Sequence, residues 1–298
     1  VSTGIPAHVI AAVLGAALLH ATWNALVKGR NPKGGGAQAD PLLSTVLVVG
    51  GGALTSALLL PFMAAPAPGS WPFIAASSLT QTLYYLLLIE AYRSGDMSHA
   101  YPLMRGTAPL LVAIFNGLLL GERLSGPQWL AVCLICGGVL AMMLAARRSH
   151  VRGAPGASQR RATVFALATA CVIATYTMID GAGVRRSGAP AAYTMWIFLL
   201  AGAAVTAWAA RTRARELLRL AGARPLLVPL GGVSTLGSYG IALWAMTLAP
   251  VAAIAALRET SILFATAIAA LFLGERIGRG RLLAVALIAC GAVTMRLA

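Results

Sequence analysis

Apolar runs recur from one end of this chain to the other, each about 20 residues long and so able to cross ~30 Å of hydrocarbon as a helix. Inside a bilayer every backbone N–H and C=O needs an internal partner, and runs of this length supply it as helices. Ten spans can be drawn, at roughly 6–28, 41–63, 71–93, 97–120, 126–146, 161–183, 190–210, 225–248, 250–273 and 279–297. The connections carry turn residues, such as NPKGGG at 31–36 and APAPGS at 65–70, and none is long enough for a separate soluble domain. The predicted fold class is all-α, a polytopic membrane protein. Composition agrees, because 59% of the 298 residues are hydrophobic and 10% are charged, too few to cover a soluble domain. The first span lacks a basic segment before it and is followed by lysine, which predicts a retained helix rather than a cleaved signal.

A net charge of +15 could suggest a nucleic-acid partner, but the placement of the charges explains it otherwise. Of the 23 Lys and Arg, seventeen fall on the connections of one membrane side and four (Arg123, Arg185, Arg186 and Arg296) on the other. Arg105 and Arg258 lie inside spans. Such asymmetry follows the positive-inside rule, so the basic side is expected to face the cytoplasm and both termini to lie outside a bacterial-type inner membrane. No nucleic-acid motif accompanies the charge. Cys133, Cys136, Cys171 and Cys290 all fall within spans. Cys133 and Cys136 are one helical turn apart with no histidine or second pair beside them, so they read as small packing residues rather than a metal or redox site. No cofactor is expected.

Displaced by 153 residues, the chain matches itself with scarcely a gap. Ala21-Thr22-Trp23 falls on Ala174-Thr175-Tyr176, Thr82-Leu83 on Thr235-Leu236, and Arg105 on Arg258. Leu120-Gly121-Glu122-Arg123 falls on Leu273-Gly274-Glu275-Arg276, and Gly138 on Gly291. Two units of five spans, 1–152 and 153–298, are the expected organisation. Because five is odd, the second unit must enter the membrane inverted, which is a common architecture of secondary transporters with substrate near the midplane between the halves.

FNGLLLGERLSGPQWLAVCLICGGVL (115–140) and AALFLGERIGRGRLLAVALIACGAVT (269–294) resemble the ends of the two repeats of EamA-type proteins, ten-helix exporters of the drug/metabolite transporter superfamily. The resemblance spans the chain. It implies a monomeric basket of helices around a central cavity, with the hairpins of spans 3–4 and 8–9 gating opposite faces. It further implies export of amino acids, other small metabolites or drugs, and the aromatic residues below look most like the branch exporting aromatic and neutral amino acids. Members are described with cytoplasmic termini, whereas the charges here place them outside.

Polar and aromatic residues inside the spans are the candidates for the transport path. His20, Trp23, Asn24 and Val27 form one stripe of the first span, and Gln81, Tyr84, Tyr85 and Leu88 form one of the third. Tyr101 stands one turn before Arg105. Tyr176, Ser238, Tyr239 and Trp244 come from the sixth and eighth spans. Each is read as lining a shared aqueous cavity, with packing within the bundle as the alternative. Trp71, Trp129, Trp196 and Trp208 lie near span ends, where interfacial anchoring accounts for them.

A guanidinium deep in a bilayer costs roughly 2.5–3.5 kcal/mol even on the lenient scale, so Arg105 and Arg258 must face protein or water. Either arginine could receive a substrate carboxylate through a planar, charge-assisted contact. Alternatively each ties down carbonyls freed where Pro102, Pro109 and nearby glycines break a helix, or pairs with an acid, for which Glu259 is the candidate. The Leu-Gly-Glu-Arg elbows should close their helices, Gly121 and Gly274 giving permissive backbone and Glu122 and Glu275 anchoring the loops. The first span has no acid and the sixth has only Asp180 near its end, which argues against proton antiport, although His20, His99 and Glu259 leave coupling open. No zinc-protease pair, nucleophile–base set or nucleotide loop points to an enzyme. Efflux of cationic or lipophilic drugs and a non-transporting scaffold are the remaining readings.

Overall fold

The computed structural model describes residues 4–28, 40–94, 97–119, 121–149, 157–272 and 277–298, which are helical with no strand among them. Eleven α-helices follow in order: α1 Ala7–Lys28, α2 Pro41–Leu59, α3 Trp71–Ser94, α4 Met97–Leu119, α5 Gly126–Ser149 and α6 Ala157–Ser187, then α7 Pro190–Ala223, α8 Leu227–Met246, α9 Val251–Arg258, α10 Ser261–Phe272 and α11 Arg279–Leu297. Nine stretches of the described residues, one running through α9 and α10, are long and apolar enough to cross a membrane. The chain is a polytopic, all-helical membrane protein.

The helix of span length outside that set is α3, whose sequence WPFIAASSLTQTLYYLLLIEAYRS carries Ser, Thr, Gln and Tyr along its middle. Those side chains turn to partners inside the bundle, as the site below shows. Conversely, Leu58, Leu118, Leu271 and Leu283 are exposed large hydrophobics, as expected where lipid is the solvent.

Small residues let the helices approach. An added Cβ on Gly51 of α2 would stand 2.1 Å from the Val228 carbonyl of α8, and one on Gly232 2.3 Å from the Gly51 backbone. The two chains touch through bare backbone there, the small-residue packing that membrane helices use in place of a hydrophobic drive. The 153-residue offset reappears in the packing of α5 on α11. A Cβ on Gly138 would lie 2.8 Å from the Ala284 carbonyl and 2.7 Å from Ile288. Its counterpart on Gly291 would lie 2.9 Å from the Ala131 carbonyl and 2.6 Å from Ile135. Each contact is the other moved by one repeat length, and the crossed order of partners makes the two helices antiparallel.

The two halves differ at their fourth helices. α4 runs unbroken through Pro102 and Pro109, so the helix break anticipated there is absent. Membrane helices tolerate proline in this way where the surrounding bundle re-satisfies the freed backbone groups. The break lies instead between α9 and α10, with no proline. Glu259, Thr260, Ile262 and Leu263 each donate a backbone N–H to the carbonyl three residues back, at 2.9–3.0 Å. This tight 3₁₀-like turn re-aims the residues at its centre.

Among the described residues, one face of the bundle is tied together through the elbow after α4. Gly121 has φ +69°, the left-handed conformation for which glycine is suited. Glu122 follows and accepts from Asn116 Nδ2 at 2.5 Å and from the Val251 N–H at 2.9 Å, at the start of α9. It also forms an ion pair with Arg185, which donates to the Met246 and Ala249 carbonyls at 2.8 and 3.1 Å. Gly274 and Glu275 of the second elbow lie outside the described residues. At the other ends of the helices, Arg224 donates to the Leu26 and Val27 carbonyls and so caps α1. Burial holds the Arg224 guanidinium below its ordinary pKa. α7 kinks at Arg213 (φ −140°, ψ 36°), which pairs with Asp40 at 2.6 Å and with Glu216.

Candidate functional site

Two guanidiniums and one carboxylate meet where α4, α6 and α9 converge. Arg105 Nε lies 3.0 Å from Glu259 Oε2, with the side chains 11% and 4% exposed. The pair is close enough for strong attraction, but neither atom completes a directional hydrogen bond, and Arg105 Nη2 also lacks one. The contact is therefore an ion pair with unused donor capacity. Glu259 is held there by the turn between α9 and α10, which carries it away from the helical course of Arg258.

Both arginines and Glu259 line a narrow pocket with Ala108, Pro109 and Val112 of α4, Ile173 and Thr177 of α6, and Ala255 of α9. The space holds about one water molecule. Arg258 additionally lies over the ring of Tyr239, 4.9 Å from its centroid, in cation–π geometry.

Tyr239 connects this pocket to a second polar centre. Its hydroxyl donates to Asp180 Oδ2 at 2.5 Å. Asp180 also accepts from Tyr193 at 3.2 Å and Gln81 at 3.3 Å, and the Gln81 amide donates to the Ser77 hydroxyl at 3.1 Å. Asp180 is 0% exposed, so each of these bonds replaces water that the carboxyl has lost. α3 supplies Ser77 and Gln81, which explains why that helix is the polar one. Gly183, three residues after Asp180, leaves the room Tyr193 occupies, since a Cβ there would lie 2.2 Å from the tyrosine hydroxyl.

A chain of aromatic rings runs on from Tyr239, none of them among the residues that line the pocket. Tyr85 and Tyr84 meet edge to face at 4.9 Å between centroids, Tyr84 and Tyr176 at 5.9 Å, and Tyr176 and Tyr239 at 6.4 Å. Phe198 approaches Tyr239 from another side at 6.0 Å. Tyr101 sits on α4 one turn before Arg105, half-buried.

The first-span stripe is arranged differently. Trp23 Nε1 donates to His20 Nδ1 at 3.3 Å and Asn24 Nδ2 to the His20 carbonyl at 2.8 Å, so these polar groups meet within α1. Trp23 packs with Tyr85 against a second apolar cluster around Val48 and Val205. Trp244 lies against His8, 6.3 Å between rings, and Ser238 is buried in α8. None of these lines the arginine pocket. Pro109 lines it, while Pro102 is half-buried about two turns earlier.

The sequence reading gave no role to Asp180 or Tyr193. An acid a few residues inside an apolar span was a visible signal, but its partners come from three other helices, and no spacing in the sequence joins them.

The EamA-like transporter family matches the chain twice, over residues 8–144 and 160–297. A Sinorhizobium protein described as "Uncharacterized transporter in cobO 3'region" is 37% identical over 76 residues, 25% of this chain and 53% of that protein. The match thus spans about half the length of this curated relative. A crystal structure titled only as that of a protein superposes with TM-score 0.74 over 98% of this chain and 97% of its own, at 20% identity, a likeness of fold.

Proposed function

The chain belongs to the EamA-like transporter family, and on that premise we propose that it exports small metabolites bearing a carboxylate, aromatic and neutral amino acids above all. The observation that carries this reading is the pocket that brings Arg105, Arg258 and Glu259 together, with the Tyr239 ring under Arg258. A zwitterion presents a carboxylate and an ammonium a few ångströms apart. Arg105 has a free Nη2 donor for the first, and Glu259 Oε2 is an acceptor without a directional bond for the second. Tyr239, Tyr176 and Tyr84 offer faces and edges to an aromatic side chain.

Transport proceeds by alternating access between the halves 1–152 and 153–298, read as inverted repeats of a monomer in the inner membrane with both termini outside. The doubled glycine contact of α5 on α11 and the twofold family match support that arrangement. The Glu122–Arg185 tie is read as the closed gate of one face, and the small pocket as the occluded site. Efflux of cationic drugs fits less well, because Glu259 is already met by Arg105.

Purified protein in liposomes is expected to show saturable counterflow of phenylalanine, tryptophan, threonine or methionine. If no amino acid competes and a drug or sugar is taken up instead, the substrate assignment is wrong. Absence of any flux would favour a scaffold.

A further inference from the structure

Asp180 and Glu259 are both buried acids, and the fold compensates them in opposite ways. Glu259 is met by a guanidinium. Asp180 has no ion-pair partner among the described residues, and its hydrogen-bond partners are the neutral groups Tyr193, Tyr239 and Gln81. A carboxylate can accept from all three. Two of them are hydroxyls, which can rotate to accept from a protonated carboxyl instead, so the same cage can hold either form.

Tyr239 joins this cage to the pocket. Its hydroxyl is on Asp180 and its ring face is under Arg258, so the tyrosine cannot shift at one contact without disturbing the other. Charge ties them as well. With Asp180 ionised, Arg105, Arg258, Glu259 and Asp180 balance to zero. With Asp180 neutral, the pocket region holds one uncompensated positive charge, which a bilayer interior strongly disfavours and which an entering carboxylate cancels when it brings no ammonium of its own.

We propose that the Asp180 cage is a proton-binding site linked through Tyr239 to Arg258, so that a carboxylate entering the pocket without an ammonium of its own is accompanied by a proton on Asp180. The proton comes from water and is returned to it when the carboxylate leaves, with no bond other than O–H made or broken. The charged and titratable groups around Asp180 are few. α4 brings Arg105, α7 Tyr193, α8 Tyr239, and α9 Arg258 and Glu259; α3 brings only neutral Ser77 and Gln81 to the cage. On α6 itself Tyr176 lies one turn away, Arg185 is engaged by Glu122, and Arg186 donates to the Ala182 carbonyl and stacks on Phe73. The linkage is reciprocal, so acidification must tighten carboxylate binding by the same factor that the carboxylate tightens proton binding.

The inference rests on the reading of the pocket as a carboxylate site, and two measurements separate the two claims. In weakly buffered detergent solution, wild-type protein saturated with 3-phenylpropionate, an aromatic carboxylate without an ammonium, is expected to take up close to one proton per molecule bound, whereas with phenylalanine, which brings its own ammonium, it takes up none. Its affinity for 3-phenylpropionate should then rise with falling pH, by up to about tenfold per unit. Asp180→Asn should bind with no such slope and take up no proton. Tyr239→Phe, which keeps the ring under Arg258 but removes the hydroxyl, should flatten the slope to less than about twofold per unit. A wild-type slope retained in Asp180→Asn, or binding of 3-phenylpropionate by wild type without proton uptake, would overturn the proposal. If neither 3-phenylpropionate nor phenylalanine binds, the carboxylate reading fails, and wherever 3-phenylpropionate does not bind, infrared spectra of wild-type protein decide the proton site alone. A protonated-carboxyl C=O band must appear on acidification and be missing from Asp180→Asn, and its absence in wild type removes Asp180 from this role.

Discussion

Arg105 stands in an unbroken helix and is met by Glu259 at 3.0 Å, whereas Arg258, one repeat length further on, ends a short helix and lies 4.9 Å over the ring of Tyr239. The local sequences explain the difference. After Arg105 comes Gly106, where an added Cβ would lie 2.8 Å from Leu140 and 3.2 Å from the Cys136 carbonyl, so glycine is what lets α4 pack on α5. The matching residue after Arg258 is Glu259, too large and polar for such a contact, and α9 and α10 pack only sparsely on α11. One half uses that position for close packing and the other uses it to place a charge, which then serves the arginine of the first half. The partners of Arg258 are equally one-sided. At the places matching Tyr239 and Asp180, the first half has Leu86 and Val27. A symmetric frame therefore carries an asymmetric set of charges.

The largest effect is expected from the ion pair. Arg105→Gln strands a buried carboxylate and should lower stability in detergent by about 3–5 kcal/mol, read by thermal unfolding. The double variant Arg105→Gln/Glu259→Gln should recover much of that loss. Arg258→Gln loses a cation–π contact and should cost about 0.5–2 kcal/mol. Equal losses for the two arginines would abolish the distinction between them.

A second variant probes the side of the comparison that belongs to Arg258. Gly183→Ala pushes against the Tyr193 hydroxyl, and overpacking of this kind costs about 1–3 kcal/mol. Flux should fall with it if the Asp180 cage positions Tyr239, while Gly278→Ala, facing open space, should be unaffected. Transport measured at equal protein amounts checks this.

Arg219→Ala, an exposed basic residue outside the spans, should leave flux within about twofold of wild type while Arg105→Ala and Arg258→Ala each reduce it at least about tenfold. Similar activities in all three would remove both buried arginines from the path.

The smallest effect lies outside the membrane. The hydrogen bond from Arg213 holds the Glu216 carboxyl below its ordinary value of 4.5. Since the folded value is the lower one, the pair helps above the ordinary value and its contribution disappears as pH falls through the depressed one. Exposed pairs contribute little, so the wild-type melting temperature should fall only slightly more than that of Glu216→Gln on acidification.

Much of this architecture was legible because hydrocarbon thickness dictates helix length. The first eight spans and the tenth begin or end within a few residues of helices in the structure, with α6 and α7 running past the bilayer at their basic ends. The ninth span was visible as an apolar run, but its interruption was not. Proline was the obvious breaker and stood in the fourth span, where neighbouring helices accommodate it. The pairing of Arg105 with Glu259 was legible as a possibility, because few acids are available inside the spans.

The sequence by itself determined the number and length of the spans, the offset that relates the halves and the presence of two deep arginines. Those are local properties, set by hydropathy along the chain and by residue identity. Only the tertiary structure decided that Asp180, Gln81, Tyr193 and Tyr239 form one cage, and that Tyr239 carries it to Arg258. Hydrogen bonds and ion pairs depend on which faces of distant helices meet to within about 3 Å, and that is set by how small residues let helices cross.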